Sequence, residues 1–307
     1  MQLSVIMRTK NADWVVHQAL HALHGQTLRN FQLIVVDSGS TDGTLDIVRR
    51  YSCRLIQIPA TSYVPGKVLN QAITHATGDM IVFQNSDVVP LAPNALERLV
   101  CPFGDSRVVA TFARQLPRPE AANWVRRDYE VSFPANGDAP SWMPLSLPFA
   151  AIRRSAWEQH PFHTAAWGSE DIEWGIWAKK NGHIVRYVPD ALVMHSHNYT
   201  LRESFGRRFI EGEADAIIRG HEDSLWQCLR RTAASTARDI VYHAERGDWR
   251  GLCESPVRRA AFHWGYFQGH VHGENQRAGQ TTDVDLGQRL VLERFGGSAA
   301  RENRLAR

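Results

Sequence analysis

The chain has 307 residues, 43% of them hydrophobic and 22% charged, with a formal net charge of +3 at pH 7. These are the proportions of a globular protein long enough to bury a full core, and they exclude a disordered, fibrous or membrane-spanning chain. The basic excess is too small for a general nucleic-acid binder, and the four cysteines (Cys53, Cys101, Cys228, Cys253) form no Cys-x-x-Cys pair, which argues against a zinc cluster and for reduced thiols.

The opening run Met1–Arg8 reads as a short strand that meets polar residues at once, without the architecture of a secretory leader. No stretch reaches the ~20 apolar residues that span a bilayer, so a cytoplasmic location is expected. Strand-like and helix-like patterns then alternate. Leu3–Met7, Phe31–Val36, Arg54–Ile58 and Met80–Phe83 read as strands; Asp13–His24, Thr41–Tyr51 and Lys67–His75 read as helices. Short β-rich runs alternating with helices predict βαβ units and a mainly parallel sheet covered on both faces.

Val108–Ala113 continues as a strand, after which Pro117, Pro119, Pro134, Pro140, Pro144 and Pro148 punctuate a long irregular region. Loops of that length inside a compact domain are usually binding loops or lids. Ser169–Lys180 reads as a helix with Gly182 suited to its C-terminal cap, and Ile184–Met194 as further strand. Beyond 199 the pattern becomes helical: Leu201, Phe205 and Phe209 fall four apart, and Leu225–Ala244 and Pro256–His270 follow. The predicted domains are therefore 1–200 (regular alternation to about 115, a looser region over 116–200), a helical extension over 201–276, and a polar, partly disordered tail over 277–307. Only Leu286–Phe295 of that tail has an ordering pattern.

Polar residues cluster where the apolar strands run out, the position at which open α/β sheets build a ligand crevice. Asp37-Ser38-Gly39-Ser40-Thr41-Asp42-Gly43-Thr44 follows the second strand. Its acids and small residues suit a ribose or base close to the backbone, or equally a loop that caps the next helix. It lacks both G-x-G-x-x-G and G-x-x-x-x-G-K-[ST], which removes the main support for nicotinamide-cofactor and P-loop chemistry. Lys67 opens a helix, where a cation is unfavourable unless an anion is near; a solvated lysine is the alternative. Asn85-Ser86-Asp87 ends the fourth strand as either a metal anchor or a turn. His195 and His197 lie two apart after a strand, on one face if the extended geometry continues, as ligands or as structural groups. Glu170 and Asp171 open a Trp-rich helix, either as dipole partners or as a general base beside an aromatic wall; Trp167, Trp174 and Trp177 suit that wall or equally the core.

In this order the motifs resemble glycosyltransferase family 2, inverting nucleotide-sugar enzymes of the GT-A fold, and within it the rhamnosyltransferase-like branch of bacterial surface-polysaccharide assembly. The likeness covers about residues 2–220. It rests on Ser4–Asn11, Asp37–Thr44, Asn85–Asp87, Glu170–Asp171 and Val193–Tyr199. The resemblance implies an α/β, Rossmann-like sheet with a C-terminal helical extension. It implies transfer of a sugar from a nucleoside-diphosphate sugar to a saccharide or lipid-linked saccharide hydroxyl.

By the same resemblance Thr9, Asn11, Asp37, Ser38, Asp42, Lys67 and Ser86 would bind the nucleotide sugar. Asp87, His195, Asn85 and His197 would hold Mn²⁺ or Mg²⁺. Asp171 would be the base, with Glu170 beside it, and Trp167 and Trp174 would meet the acceptor. Two positions depart from the family pattern: Asn85 stands where D-x-D has its first acid, and Arg8 stands where a proline is common. A sugar nucleotidyltransferase and a non-catalytic sugar-nucleotide scaffold are the alternative functions. Phe205, Arg207, Arg208, Phe209, Trp226, Arg230 and Arg231 mix basic and aromatic groups as interfacial helices do. They leave open peripheral membrane association, packing of the tail on the catalytic domain or on another subunit, and homo-oligomerisation; no nucleic-acid partner is expected.

Overall fold

The computed structural model describes residues 2–220, 223–281, 283 and 286–297. The chain divides into two compact units. The first, comprising residues to Arg118, Tyr129–Thr164 and Glu170–Ser196, carries the sheet. Its elements run β1 (Leu3–Thr9), α1 (Val16–His24), β2 (Phe31–Asp37), α2 (Thr44–Val48), β3 (Arg54–Gln57), α3 (Pro65–Thr74) and β4 (Met80–Gln84). Next come β5 (Val89–Pro90), α4 (Ala95–Val100), β6 (Val108–Leu116), α5 (Asn123–Ser132, entered from the second unit), β7 (Phe149–Arg153), α6 (Arg154–Gln159), α7 (Glu170–Lys180) and β8 (Ile184–Met194).

The strands form one mixed sheet in the order β3-β2-β1-β4-β7-β6-β8-β5. The predicted parallel βαβ half is present: β3, β2, β1 and β4 pair in parallel. The other half is interleaved, because β7 runs antiparallel between β4 and β6 and β5 runs antiparallel to β8. β7 lies inside the proline-punctuated region read as irregular from sequence.

Alternate residues of the central strands enter two separate cores. Val5 and Met7 face one, with Val16, Leu20 and Leu96; Ile6 faces the other, with Leu69, Ile73 and Phe112. Burial on both faces is why these strands read as continuous apolar runs.

The second unit comprises Pro119–Asp128, Ala165–Ser169 and the chain from His197. Its helices are α8 (Leu201–Arg219), α9 (Leu225–Glu245), α10 (Trp249–Arg277) and α11 (Leu286–Gly297). The part of the polar tail expected from 298 onward lies outside the described residues. α8 begins with a capping box in which Thr200 and Glu203 satisfy each other's backbone amides. α9 begins with another, built from Ser224 and Gln227. None of the described helices is long and apolar enough to cross a membrane.

The basic–aromatic run of α8 faces protein. Phe209 is buried, and Arg208 lies 4.2 Å from the Phe262 ring centroid and pairs with Glu211. Phe209 and Arg208 thus serve the packing of α8 on α10, whereas Arg207 lies over the Tyr199 ring. Trp226 and Arg230, by contrast, face outward.

α8 and α10 approach through glycine. A Cβ at Gly269 would stand 1.9 Å from the Phe209 carbonyl oxygen, and one at Gly212 2.0 Å from that of Tyr266. Backbone cannot retreat as a flexible side chain can, so the added methyl must separate the helices. Gly269→Ala is expected to cost about 2 kcal/mol or more, visible as a lowered midpoint in thermal unfolding. An unchanged midpoint would mean that the helices do not cross this closely.

Candidate active site

Sheet register places the first group of polar residues. Thr9 and Asp37 are partners in the β1–β2 ladder, and Ile6 pairs with Phe83 in the β1–β4 ladder. Arg8 and Asn85 each stand two residues past that last rung and therefore lie abreast. Backbone bonds extend the alignment: the Ser86 amide donates to the Arg8 carbonyl (3.1 Å) and the Ser38 amide to that of Thr9 (3.0 Å).

The loop after β2 is closed by its own polar groups. Asp37 is fully buried, and its Oδ2 accepts from the Gly39 and Ser40 amides, both at 3.1 Å. Ser40 Oγ donates to the other oxygen of Asp37 and accepts from the Asn11 amide at 2.9 Å. Asn11 sits at φ +47, a left-handed conformation that asparagine tolerates, and its Oδ1 accepts from the Thr41 amide at 2.8 Å. Asp42 accepts from the amides of Asp13 and Thr44. Burial pushes the Asp42 carboxyl up, but these hydrogen bonds outweigh it and hold it below the usual range. Thr9, Asn11, Asp37, Ser38 and Asp42 thus converge, as the sequence reading expects, in a loop laced before any ligand arrives.

β5, β6 and β8 bring together a second group. The pairing Val89↔Met194 draws Asp87 to the end of β8, where His195 Nε2 lies 3.7 Å from Asp87 Oδ2. Gln115, on β6, sets the imidazole. Its Nε2 donates to Ser146 Oγ (3.0 Å), which turns its Oε1 onto His195 Nδ1 at 2.7 Å. An amide oxygen only accepts, so Nδ1 carries the proton and Nε2 presents its lone pair toward Asp87. The Tyr129 hydroxyl lies 3.4 Å from the same Nδ1. With side chains only 19% and 12% exposed, Asp87 and His195 are well screened from solvent. An oriented imidazole facing a carboxylate is a donor set that fits a divalent cation.

His197 belongs to the second unit, where its ring stacks on Tyr199. Asn85 is used differently from expectation, because its Oδ1 accepts from Arg8 Nη2 at 3.3 Å.

The third group is the carboxylate pair at the start of α7. Ser169, just before it, is held at φ +58, a costly conformation for a residue with a Cβ. Glu170 pairs with Arg8 (Nη1–Oε1 3.1 Å), and the same Nη1 reaches the Tyr63 hydroxyl at 3.3 Å. Burial opposes the charge of Arg8, but Tyr63 and Glu170 outweigh it and hold the guanidinium above its ordinary range. Asp171 accepts only from two backbone amides, Ile172 at 2.8 Å and Leu147 at 3.4 Å. Burial first, and the Glu170 charge second, push its carboxyl up to about 7. A carboxylate poised there exchanges protons readily near neutrality.

The remaining expectations divide. Lys67 is exposed in the first turn of α3, while Gly66 is structural: a Cβ there would meet the His163 carbonyl at 1.9 Å. Ser86 is buried. Trp167 is half-buried in the second unit. Trp174 is corrected, because it is fully buried in the core and donates its indole N–H to the His160 carbonyl (2.8 Å), so it cannot present a face to an acceptor. Sequence reasoning missed Gln115 and Tyr129 entirely, and noticed Arg8 only as a departure from pattern.

Residues 4–169 match the family pattern described as Glycosyl transferase family 2. The chain is 33% identical over 226 residues to the O-antigen chain rhamnosyltransferase WbaN of Salmonella anatum, spanning 68% of this chain and 70% of that one. It is 30% identical over 227 residues to the O-antigen chain rhamnosyltransferase RfbN of Salmonella typhimurium, spanning 69% and 72%. Among solved structures, the mannosyltransferase PcManGT from Pyrobaculum calidifontis, in complex with GDP-Man and Mn²⁺, shares the fold. It superposes with a TM-score of 0.62 at 21% identity over 89% of this chain and 86% of that one. Residues 1–349 of TarS from S. aureus, in complex with UDP-GlcNAc, superpose with a TM-score of 0.52 at 19% identity over 92% and 93%.

The raised Asp171 carboxyl has a consequence for stability. Its protonated form suits the folded site, so this contribution is full below about pH 4 and is lost as pH rises through about 7. Asp171→Asn, which cannot ionise, is expected to raise the melting temperature relative to the wild type. The gain should grow between pH 4 and 7 and level off above. Differential scanning calorimetry over that range checks it, and a pH-independent difference would refute the raised carboxyl.

Proposed function

This chain belongs to glycosyl transferase family 2 and is an inverting glycosyltransferase, and from that premise we propose how its own residues carry out the transfer. The donor is a nucleoside-diphosphate sugar and the acceptor a hydroxyl of a saccharide or lipid-linked saccharide, in the building of a cell-surface polysaccharide. The relatives named for O-antigen chains support that setting, and a rhamnosyl donor is the first to try. The observation that carries the mechanism is Asp171 at the start of α7, partly buried beside Glu170, whose carboxyl is pushed up to about 7.

Asp171 takes the proton of the acceptor hydroxyl as its oxygen bonds to the anomeric carbon, and the bond from that carbon to the diphosphate oxygen breaks on the opposite face. The loop of Thr9, Asn11, Asp37, Ser38 and Asp42 receives the nucleoside, and Lys67, unpaired among the described residues, lies toward the diphosphate. Asp87 and His195 would hold Mn²⁺ or Mg²⁺, with Gln115 fixing the imidazole. A cation bound there supplies positive charge against the departing diphosphate. Asn85, already accepting from Arg8, is left out of that ligand set.

Asp171→Asn is expected to lower turnover by ~10²–10⁴-fold, the usual contribution of a general base. Binding of the nucleoside diphosphate, read by calorimetry, should stay near wild type. Near-normal turnover removes Asp171 from the role. The cation site has its own readout in thermal shift with a nucleoside diphosphate and Mn²⁺. The wild type should gain stability from the metal, and Asp87→Asn and His195→Ala should lose that gain. If both variants respond like the wild type, the cation lies elsewhere.

A second reading, attachment to an anionic membrane surface, is favoured by the outward faces of α9 and α10. Trp226, Leu229, Ile240 and Val241 on α9, and Trp249, Val257 and Trp264 on α10, are exposed, Trp226 by 72% and Trp249 by 77%. Arg230 and Arg238 are exposed among them, whereas the one acid within α9 before its last residue, Asp239, is buried against Arg127 and Arg259. Exposed tryptophans interleaved with arginine suit a lipid headgroup region. The full chain is expected to co-sediment with vesicles rich in phosphatidylglycerol and not with pure phosphatidylcholine, and to be released by salt. Trp226→Ser with Arg230→Glu should lower the bound fraction at least fivefold. Equal sedimentation with both lipids, or no effect of the double variant, overturns this reading.

A further inference from the structure

We propose that Arg8 is a positioning residue of the transfer: anchored by Asn85 and Tyr63, it holds Glu170 as its ion-pair partner and so leaves Asp171 as the carboxylate that exchanges the acceptor's proton. The inference rests on the assignment of Asp171 as the base and extends it to a residue that the proton does not visit.

The geometry has three parts. Arg8 is carried to the site by β1, and its two terminal nitrogens are divided between elements far apart in sequence. Nη1 serves Glu170 of α7 at 3.1 Å and Tyr63 at 3.3 Å, and Nη2 serves Asn85 past β4 at 3.3 Å. The guanidinium is planar and rigid, so three partners on three segments fix its plane as a single anchor would not. Glu170 and Asp171 are adjacent on α7, yet only Glu170 is paired with the cation; Asp171 is held by the Ile172 and Leu147 amides alone. Two neighbouring buried carboxylates cannot both carry charge cheaply without a counterion. The single cation therefore decides which of them is the fixed anion and which exchanges protons.

Asn85 completes the arrangement. A neutral amide accepts from Nη2 without competing for the charge, whereas a carboxylate at 85 would draw the guanidinium away from Glu170. The two departures from the family pattern, at 8 and at 85, touch each other and are parts of one device. The charged and titratable groups facing Asp171 are Glu170 on its own helix and Arg8 from β1; Tyr63 faces it only through Arg8.

Removing the cation and removing its partner must act in opposite directions. In Arg8→Gln the Glu170 charge is uncompensated, so Asp171 holds its proton to higher pH. The acid limb of kcat/KM should then move up by about one pH unit, the lower end of what one charge at this range does. That amounts to a loss of roughly fivefold at pH 7 that fades at alkaline pH. In Glu170→Gln the like charge is gone and the limb should move down by a similar amount. Arg8→Lys keeps the charge and should leave the limb within a few tenths of wild type. The assays use whichever nucleotide sugar gives the highest turnover, with nucleoside-diphosphate affinity measured alongside.

A uniform loss at every pH in Arg8→Gln, with weakened nucleotide binding, would make Arg8 a donor contact and overturn the proposal. So would an unmoved limb in a background where Asp171→Asn is inactive, an outcome that spares the base assignment. Turnover surviving in Asp171→Asn instead removes the base assignment itself. Should Arg8→Gln fail to fold, Glu170→Gln decides alone: a limb that does not fall refutes the proposal.

Discussion

The parallel alignment of β2, β1 and β4 is the constraint on which the site depends. These strands are buried on both faces, with Val5, Met7, Ile34, Val35, Ile81 and Val82 essentially inaccessible. Their backbone groups have no water to turn to, and ladder pairing is obligatory. Side chains alternate with period two, so a slip of one residue would exchange the two cores and is strongly opposed. The register that satisfies the cores sets Thr9 against Asp37 and Arg8 beside Asn85. Chemistry at the strand ends is thus placed by apolar packing several residues away.

The far half of the sheet works by the same logic with different strands. β6 and β8 are parallel, and β5 turns back along β8, which draws Asp87 onto His195. Gln115 reaches the imidazole from β6 and is itself held by Ser146. The imidazole is oriented by groups that would not touch a ligand, as supported metal sites require. Antiparallel β7 separates this half from β4.

Much of this was legible in sequence, and the exceptions have physical reasons. β1, β2, β4 and the helices between them stood out because burial on both faces gives unbroken apolar runs. β7, Phe149–Arg153, was lost because prolines at 144 and 148 precede it and its pairing partners are 65–73 and about 40 residues away. α5 was lost because Asn-Trp-Val-Arg-Arg-Asp-Tyr-Glu-Val-Ser buries little more than Val125. Trp174 was read as a site residue because a Trp-rich helix looks the same whether its rings meet sugar or core. Asp87, His195, Glu170 and Asp171 were found because acids and imidazoles at strand and helix ends are conspicuous. Gln115 is not: an amide in mid-strand acquires meaning only from a histidine 80 residues on. Arg8 showed as an oddity, and its partner 162 residues away was invisible to any local pattern.

The acids after β2 and those opening α7 are held in different ways. Asp37 and Asp42 have their charges met by amides and hydroxyls of the surrounding loop. That arrangement costs little stability and orders the loop in advance, so a ligand meeting it would have less to immobilise. Asp171 is held by two amides, crowded by Glu170 and partly buried, so its ionised form is unfavourable. A carboxylate given more donors there would be more stable in its ionised form, because its proton affinity falls with every added donor. Ser169, which introduces α7, is held at φ +58, a conformation costly for a residue with a Cβ. Arg8 pairs with Glu170 and not with Asp171, so the cation sits close to both acids but neutralises only the first directly.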